Sequence, residues 1–151
     1  MTRITDLIGK ALLNRYIVGG FVLVIVLFTL AVDIMGLVHP CPYCRTQRFA
    51  LGVLSLILLS PWRGALIARF FAVLIGFYGL VVGVMQNFNH VKTINRGEFD
   101  WAAMTFDHPL ILSALAVTAL VWLLFLILGL PRLLAASKQA APAAGHPNPN
   151  V

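Results

Sequence analysis

From Tyr16 to Val38 the chain carries a single charged residue, Asp33. That run exceeds the roughly 20 apolar residues a helix needs to cross the hydrocarbon core of a bilayer. It is also too long for a signal-peptide core and lacks a small-residue cleavage site, so it reads as a permanent anchor. Two further apolar runs of spanning length follow, Gly64 to Met85 and Pro109 to Leu130. The whole sequence of 151 residues is 60% hydrophobic and only 11% charged, against an apolar share of roughly 45–50% in soluble domains. A soluble globular fold is excluded.

A fourth apolar run, Phe49 to Ser60, is informative because it is short: as helix it rises about 18 Å, against a hydrocarbon core of about 30 Å. To cross, its helix must begin near Pro42 and end near Pro61-Trp62. The fold predicted is therefore all-α, an integral membrane four-helix bundle with spans near 16–38, 42–62, 64–86 and 109–130. Residues 1–134 form one membrane domain, and the Ala/Pro/Asn-rich tail 135–151, without periodicity, is expected to be disordered. The glycines at 76, 79 and 83 let a neighbouring helix approach closely. Gln86 to His108 reads as a polar connection with a membrane-surface helix or lid that Gly97 would break. An acid at the depth of Asp33 either snorkels to the headgroups or faces an inward site, and snorkelling is the expected arrangement.

The net charge of +6 does not point to nucleic acid, because the Lys and Arg residues stand singly at the ends of apolar runs. Seven of the eleven lie in the leader (Arg3, Lys10, Arg15), the connection after the second run (Arg63, Arg69) and the tail (Arg132, Lys138). The positive-inside rule then puts both termini in the cytoplasm and the opposite loops outside.

Both cysteines of the chain fall in one of those outer loops, within His39-Pro40-Cys41-Pro42-Tyr43-Cys44-Arg45-Thr46-Gln47-Arg48. A bridge between residues so close restrains little chain, so its value as a fold staple is small. A helix starting at Pro42, whose missing N–H is no loss there, puts Cys41 at the N-cap and Cys44 in the first turn. The positive end of the helix dipole then favours thiolate at both sulfurs. Arg45 and Arg48 follow Cys41 and Cys44 at four-residue spacing, which places a cation on the helical face of each. The arrangement is that of a thiol–disulfide exchange catalyst: Cys41 exchanges and Cys44 resolves. The short second span pulls this pair down to the lipid boundary, where a lipid-soluble reagent can meet a water-soluble one. Two thiolates and the imidazole of His39 would also suit Cu(I) or Zn(II), which leaves a membrane metal carrier or an accessory packing subunit as the alternative. Arg48 needs an anionic partner at that depth, supplied by the Cys44 thiolate or a quinol oxygen. His90, past the outer end of the third run, lies level with the motif.

The run Pro40-Cys41-Pro42-Tyr43-Cys44 followed by Gln47-Arg48-Phe49-Ala50-Leu51, four spans, and Asn89-His90 after the third resemble the DsbB family of disulfide-bond-forming membrane proteins. The resemblance covers roughly Leu12 to Leu130. It implies a bundle in the bacterial inner membrane, with its Cys pair on the periplasmic side. It also implies an enzyme that reoxidises a periplasmic DsbA-like thioredoxin-fold protein and passes the electrons to ubiquinone or menaquinone. By that similarity Cys41 and Cys44 are catalytic, Cys44 and Arg48 contact the quinone, and His90 lies near its ring. Full-type members carry a second cysteine pair in the outer loop between spans three and four. Gln86 to His108 has no cysteine here, so either a partner dithiol reaches Cys41 directly, or another polypeptide supplies the pair, or the protein has drifted to a different task.

Overall fold

A computed structural model describes residues 9–37, 41–99, 101 and 108–129. The described residues contain no strand; besides a helical stretch at 9–13, they form four long helices and one short 3-10 turn. Helix α1 is Arg15–Ile34, α2 Pro42–Leu59, α3 Leu66–Asn95 and α4 Pro109–Ile127, with the 3-10 turn Pro61–Gly64 between α2 and α3. The tail 135–151, His39, Asp100 and Asp107 lie outside the described residues.

The helix starts follow from local chemistry. Asn14 Oδ1 accepts the Tyr16 N–H at 3.0 Å to cap α1, and His108 Nδ1 accepts the Leu110 N–H at 3.2 Å to cap α4. Proline occupies the first turn of α2, the 3-10 turn and α4, where an absent N–H sacrifices no bond. At the other end of α3, Gly97 takes φ +72°. The Glu98 N–H then reaches back to the Thr93 carbonyl at 3.2 Å, a helix stop that a residue with a Cβ adopts poorly.

The stretch following Met85 is not a separate surface helix: α3 runs unbroken for 30 residues, about 45 Å. Asn87, Asn89 and His90 belong to its C-terminal turns. No proline or glycine interrupts residues 84–95, so nothing in the backbone ends the helix before Gly97.

Three of the helices, α1, α3 and α4, are long and apolar enough to cross a membrane. Their large side chains stand exposed, Phe21, Phe28, Phe70 and Phe77 among them, as suits helices bathed in acyl chains. Helix α2 is less apolar because its first two turns carry Arg45, Gln47 and Arg48. It nevertheless takes the middle position, packing on α1, α3 and α4. Its Ala50, Leu54 and Leu58 are wholly buried against Ala72, Leu120 and Leu123.

Close approach of α3 rests on its glycines. A Cβ on Gly79 would lie 2.6 Å from the Ala50 methyl, one on Gly76 2.8 Å from Leu124, and one on Gly83 2.5 Å from Val117. The helix is wedged between α2 and α4 with no room for a methyl group at these positions, and the packing reading of the glycines holds.

Candidate functional site

Helix α2 begins at Pro42 with Cys41 as its N-cap. Cys41 Sγ accepts the backbone N–H of Cys44 at 3.4 Å. A helix N-terminus therefore offers its first free N–H to the Cys41 sulfur, the geometry that supports negative charge there during exchange. Both cysteines are free thiols and both are half-buried.

The two arginines do something other than flank the sulfurs. Asp33, near the end of α1, is buried and points at the first turns of α2. Its carboxylate accepts Arg45 Nε at 2.8 Å and Arg45 Nη2 at 3.2 Å. Arg48 Nη1 lies 3.1 Å from Asp33 Oδ2. Asp33 does not snorkel, because a carboxylate forked onto one guanidinium and held near a second gains more than hydration offers at that site. The expectation that each arginine serves its own cysteine gives way to a charge triad that pins α1 to α2.

Within this triad Arg48 is incompletely satisfied. Its Nη1 is close enough to Asp33 for an ion pair but misaligned for a hydrogen bond, and it is buried without a hydrogen-bond partner. The same side chain lines a half-open cavity of about 330 Å³ between α1, α2 and α4. Cys44, Gln47 and Arg48 form one polar end of the wall, with Thr29 and Ser113 nearby; Phe21, Leu51 and Leu115 belong to its apolar remainder. Helix α1 packs on α2 but only sparingly on α4, and the cavity occupies the space that this leaves.

Two residues that sequence reasoning passed over complete the site. Gln47 and Gln86 are both buried. Gln47 Nε2 donates to Gln86 Oε1 at 3.0 Å, and Gln86 Nε2 donates to Cys44 Sγ at 3.9 Å. The available signal was position: Gln47 lies three residues after Cys44, and Gln86 is an amide closing the glycine face of α3. At the next residue of α3, Asn87 Oδ1 accepts from Ser113 Oγ at 3.0 Å, a polar tie between α3 and α4.

The structure thus brings Cys41, Cys44 and Arg48 into one place. The ring of His90 lies 5.5 Å from that of His108, which in turn lies 5.4 Å from Phe99. His90 is not among the residues that line the cavity. Among the described residues no three His, Cys, Asp or Glu side chains are grouped to hold a metal ion, and His39 is not among those residues.

A helical membrane protein whose two cysteines form a dithiol at a helix N-terminus, one sulfur facing an apolar cavity, is built for thiol–disulfide chemistry. Residues 14–102 match the family model described as Disulfide bond formation protein DsbB, and the chain belongs to that family. It is therefore a membrane oxidoreductase of disulfide-bond formation. The match takes in α1, α2 and α3; α4 lies beyond it. No curated protein and no solved structure matches the chain.

Proposed function

We propose that this protein is a quinone-linked thiol–disulfide oxidoreductase of the bacterial inner membrane, oxidising a periplasmic thioredoxin-fold dithiol partner through Cys41 and Cys44. In this reading α2 is a fourth span, both termini are cytoplasmic, and the cysteines open to the periplasm. At 18 residues α2 reaches about 27 Å as helix, so its first turn sits at the lipid boundary.

The observation that carries the reading is the cavity shared by Cys44 and Arg48. It fits a quinone by chemistry: an apolar chamber in contact with the lipid-embedded helices, a sulfur in the wall, and a buried guanidinium nitrogen without a hydrogen-bond acceptor. Arg48 would hold a quinone oxygen, and Cys44 would face the ring. Bound there, ubiquinone or menaquinone supplies the acceptor for two electrons and two protons.

The chain's own residues perform the thiol chemistry. A partner thiolate attacks Cys41 Sγ of the Cys41–Cys44 disulfide, and the electron pair of that bond leaves on Cys44 Sγ. The second partner thiol then attacks the mixed disulfide and releases Cys41, so the partner leaves oxidised and the chain holds two thiols. The Cys44 N–H supports the Cys41 sulfur through both displacements. With no cysteine in Gln86–His108, the partner meets Cys41 directly.

The test is purification in native lipid, with mass spectrometry for quinone and counting of free thiols after acid quench. The reading expects co-purifying quinone, and a disulfide fraction that collapses when quinone is depleted and returns when it is restored. A disulfide fraction indifferent to quinone overturns it.

A further inference from the structure

When the Cys41–Cys44 bond breaks, the leaving sulfur is Cys44, and the rate of such a displacement rises with the stability of the departing thiolate. This sulfur is poorly served by the groups nearest in sequence. The backbone N–H of Cys44 itself is committed to Cys41. Arg48 and Arg45 are drawn toward Asp33 of α1. From α4 the cavity wall brings Ser113 and apolar side chains, with no charged group. The donor in contact with Cys44 from α3 is the neutral amide of Gln86.

We propose that Gln86 is a further catalytic residue, its amide N–H holding the negative charge that develops on the Cys44 sulfur, and that Gln47 is the positioning residue that keeps this amide turned the right way. The proposal deepens the thiol-oxidoreductase reading and rests on it. A buried amide must place its donors and acceptors. By donating to Gln86 Oε1, Gln47 leaves the Gln86 NH₂ facing sulfur. A neutral thiol is a weak acceptor, in keeping with the long 3.9 Å separation, whereas hydrogen bonds to an ionised acceptor are shorter and roughly twice as strong. The contact therefore strengthens as the S–S bond breaks, which is what transition-state stabilisation requires. The pair is held rigidly, since Gly83 brings α3 so close that a Cβ there would lie 3.3 Å from Gln47 Nε2.

The experiment is the pH dependence of alkylation at Cys44 in the reduced full-length protein, read peptide by peptide by mass spectrometry. It uses neither quinone nor partner, so its failure is distinct from failure of the functional reading. Loss of one charge-assisted hydrogen bond corresponds to about a tenfold change. Gln86→Leu should therefore slow alkylation about tenfold at pH values below the midpoint and move the midpoint upward. Gln86→Glu, which keeps the shape and places an acid against the sulfur, should move it at least as far. Gln47→Leu should move it in the same direction by less. Gln86→Met, close in volume, replaces the Leu variant if that one fails to fold. Profiles of Gln86→Glu and of the apolar variant that superpose on wild type overturn the proposal.

Discussion

Adding one methyl group at Gly79 tests the packing that positions the site. The new Cβ would lie 2.6 Å from the Ala50 Cβ and 3.2 Å from Leu120 Cδ1, where ordinary contact is 3.4–4 Å. Leu120 can rotate; the Ala50 methyl cannot, so α2 and α3 must part by about 1 Å. Overpacking of this kind costs about 1–3 kcal/mol, and replacing a helical glycine returns roughly 0.5–1 kcal/mol. Gly79→Ala should therefore destabilise the protein by about 1–2 kcal/mol. Gly20→Ala, where a Cβ meets nothing within 4 Å, should be neutral or mildly stabilising. Reversible unfolding in mixed micelles, followed by far-UV circular dichroism, measures both. The decisive variant combines Gly79→Ala with Ala50→Gly, which moves the methyl across the interface and should recover most of the loss, a coupling characteristic of residues in contact. If Gly79→Ala is as stable as wild type, or if Ala50→Gly adds to the damage instead of relieving it, the close approach of α2 and α3 is wrong.

Three other perturbations address the site. Arg48→Ala should lower quinone-dependent turnover about 100-fold, the usual order for losing one well-placed donor, while the unfolding midpoint changes little; steady-state kinetics beside the micelle titration separates the two. Asp33→Asn removes the carboxylate from between the two guanidinium groups, so Arg48 loses its anchor. The KM for quinone should rise several-fold with the rate of partner exchange at Cys41 unaltered, and stopped-flow measurement of each half-reaction shows whether it does. A partner that keeps only its attacking cysteine should stay joined to Cys41 of the oxidised chain as a mixed disulfide, visible on non-reducing gels, whereas Cys41→Ser and Cys44→Ser, which offer no Cys41–Cys44 bond to attack, should trap none.

The sequence reads well wherever a local rule decides the outcome. Pro42 sets the start of α2 because its ring needs no donor, Gly97 stops α3, and the spacing of Gly76, Gly79 and Gly83 announces a close helix contact. It reads poorly where the outcome depends on which helix faces which. Spacing along α2 puts Arg48 on the face of Cys44, and only the placement of α1 reveals that Asp33 draws both arginines. Gln86 in sequence is the first polar residue after an apolar run; its contact with Cys44 depends on the depth of α3 beside α2. The cavity is invisible for the same reason, being a gap bounded by three helices.

The central position of the least apolar helix has the same origin. In lipid, an apolar helix gains nothing hydrophobically by hiding from the acyl chains, so packing and polar pairing decide which helix goes inside. Helix α2 carries Arg45, Gln47, Arg48 and Ser55, and exposing Gln47 or Arg48 to hydrocarbon is expensive unless each finds a partner. Asp33 of α1 and Gln86 of α3 are those partners, and both lie in the C-terminal parts of their helices, level with the start of α2. The residues that make α2 a poor membrane helix are therefore the ones that fix its neighbours and its register. The dithiol at its N-terminus inherits a surrounding held by an ion triad on one side and an amide pair on the other. Drawing α1 toward α2 while α3 and α4 pack on its other faces leaves α1 and α4 apart, and that separation is the cavity into which Cys44 and Arg48 face.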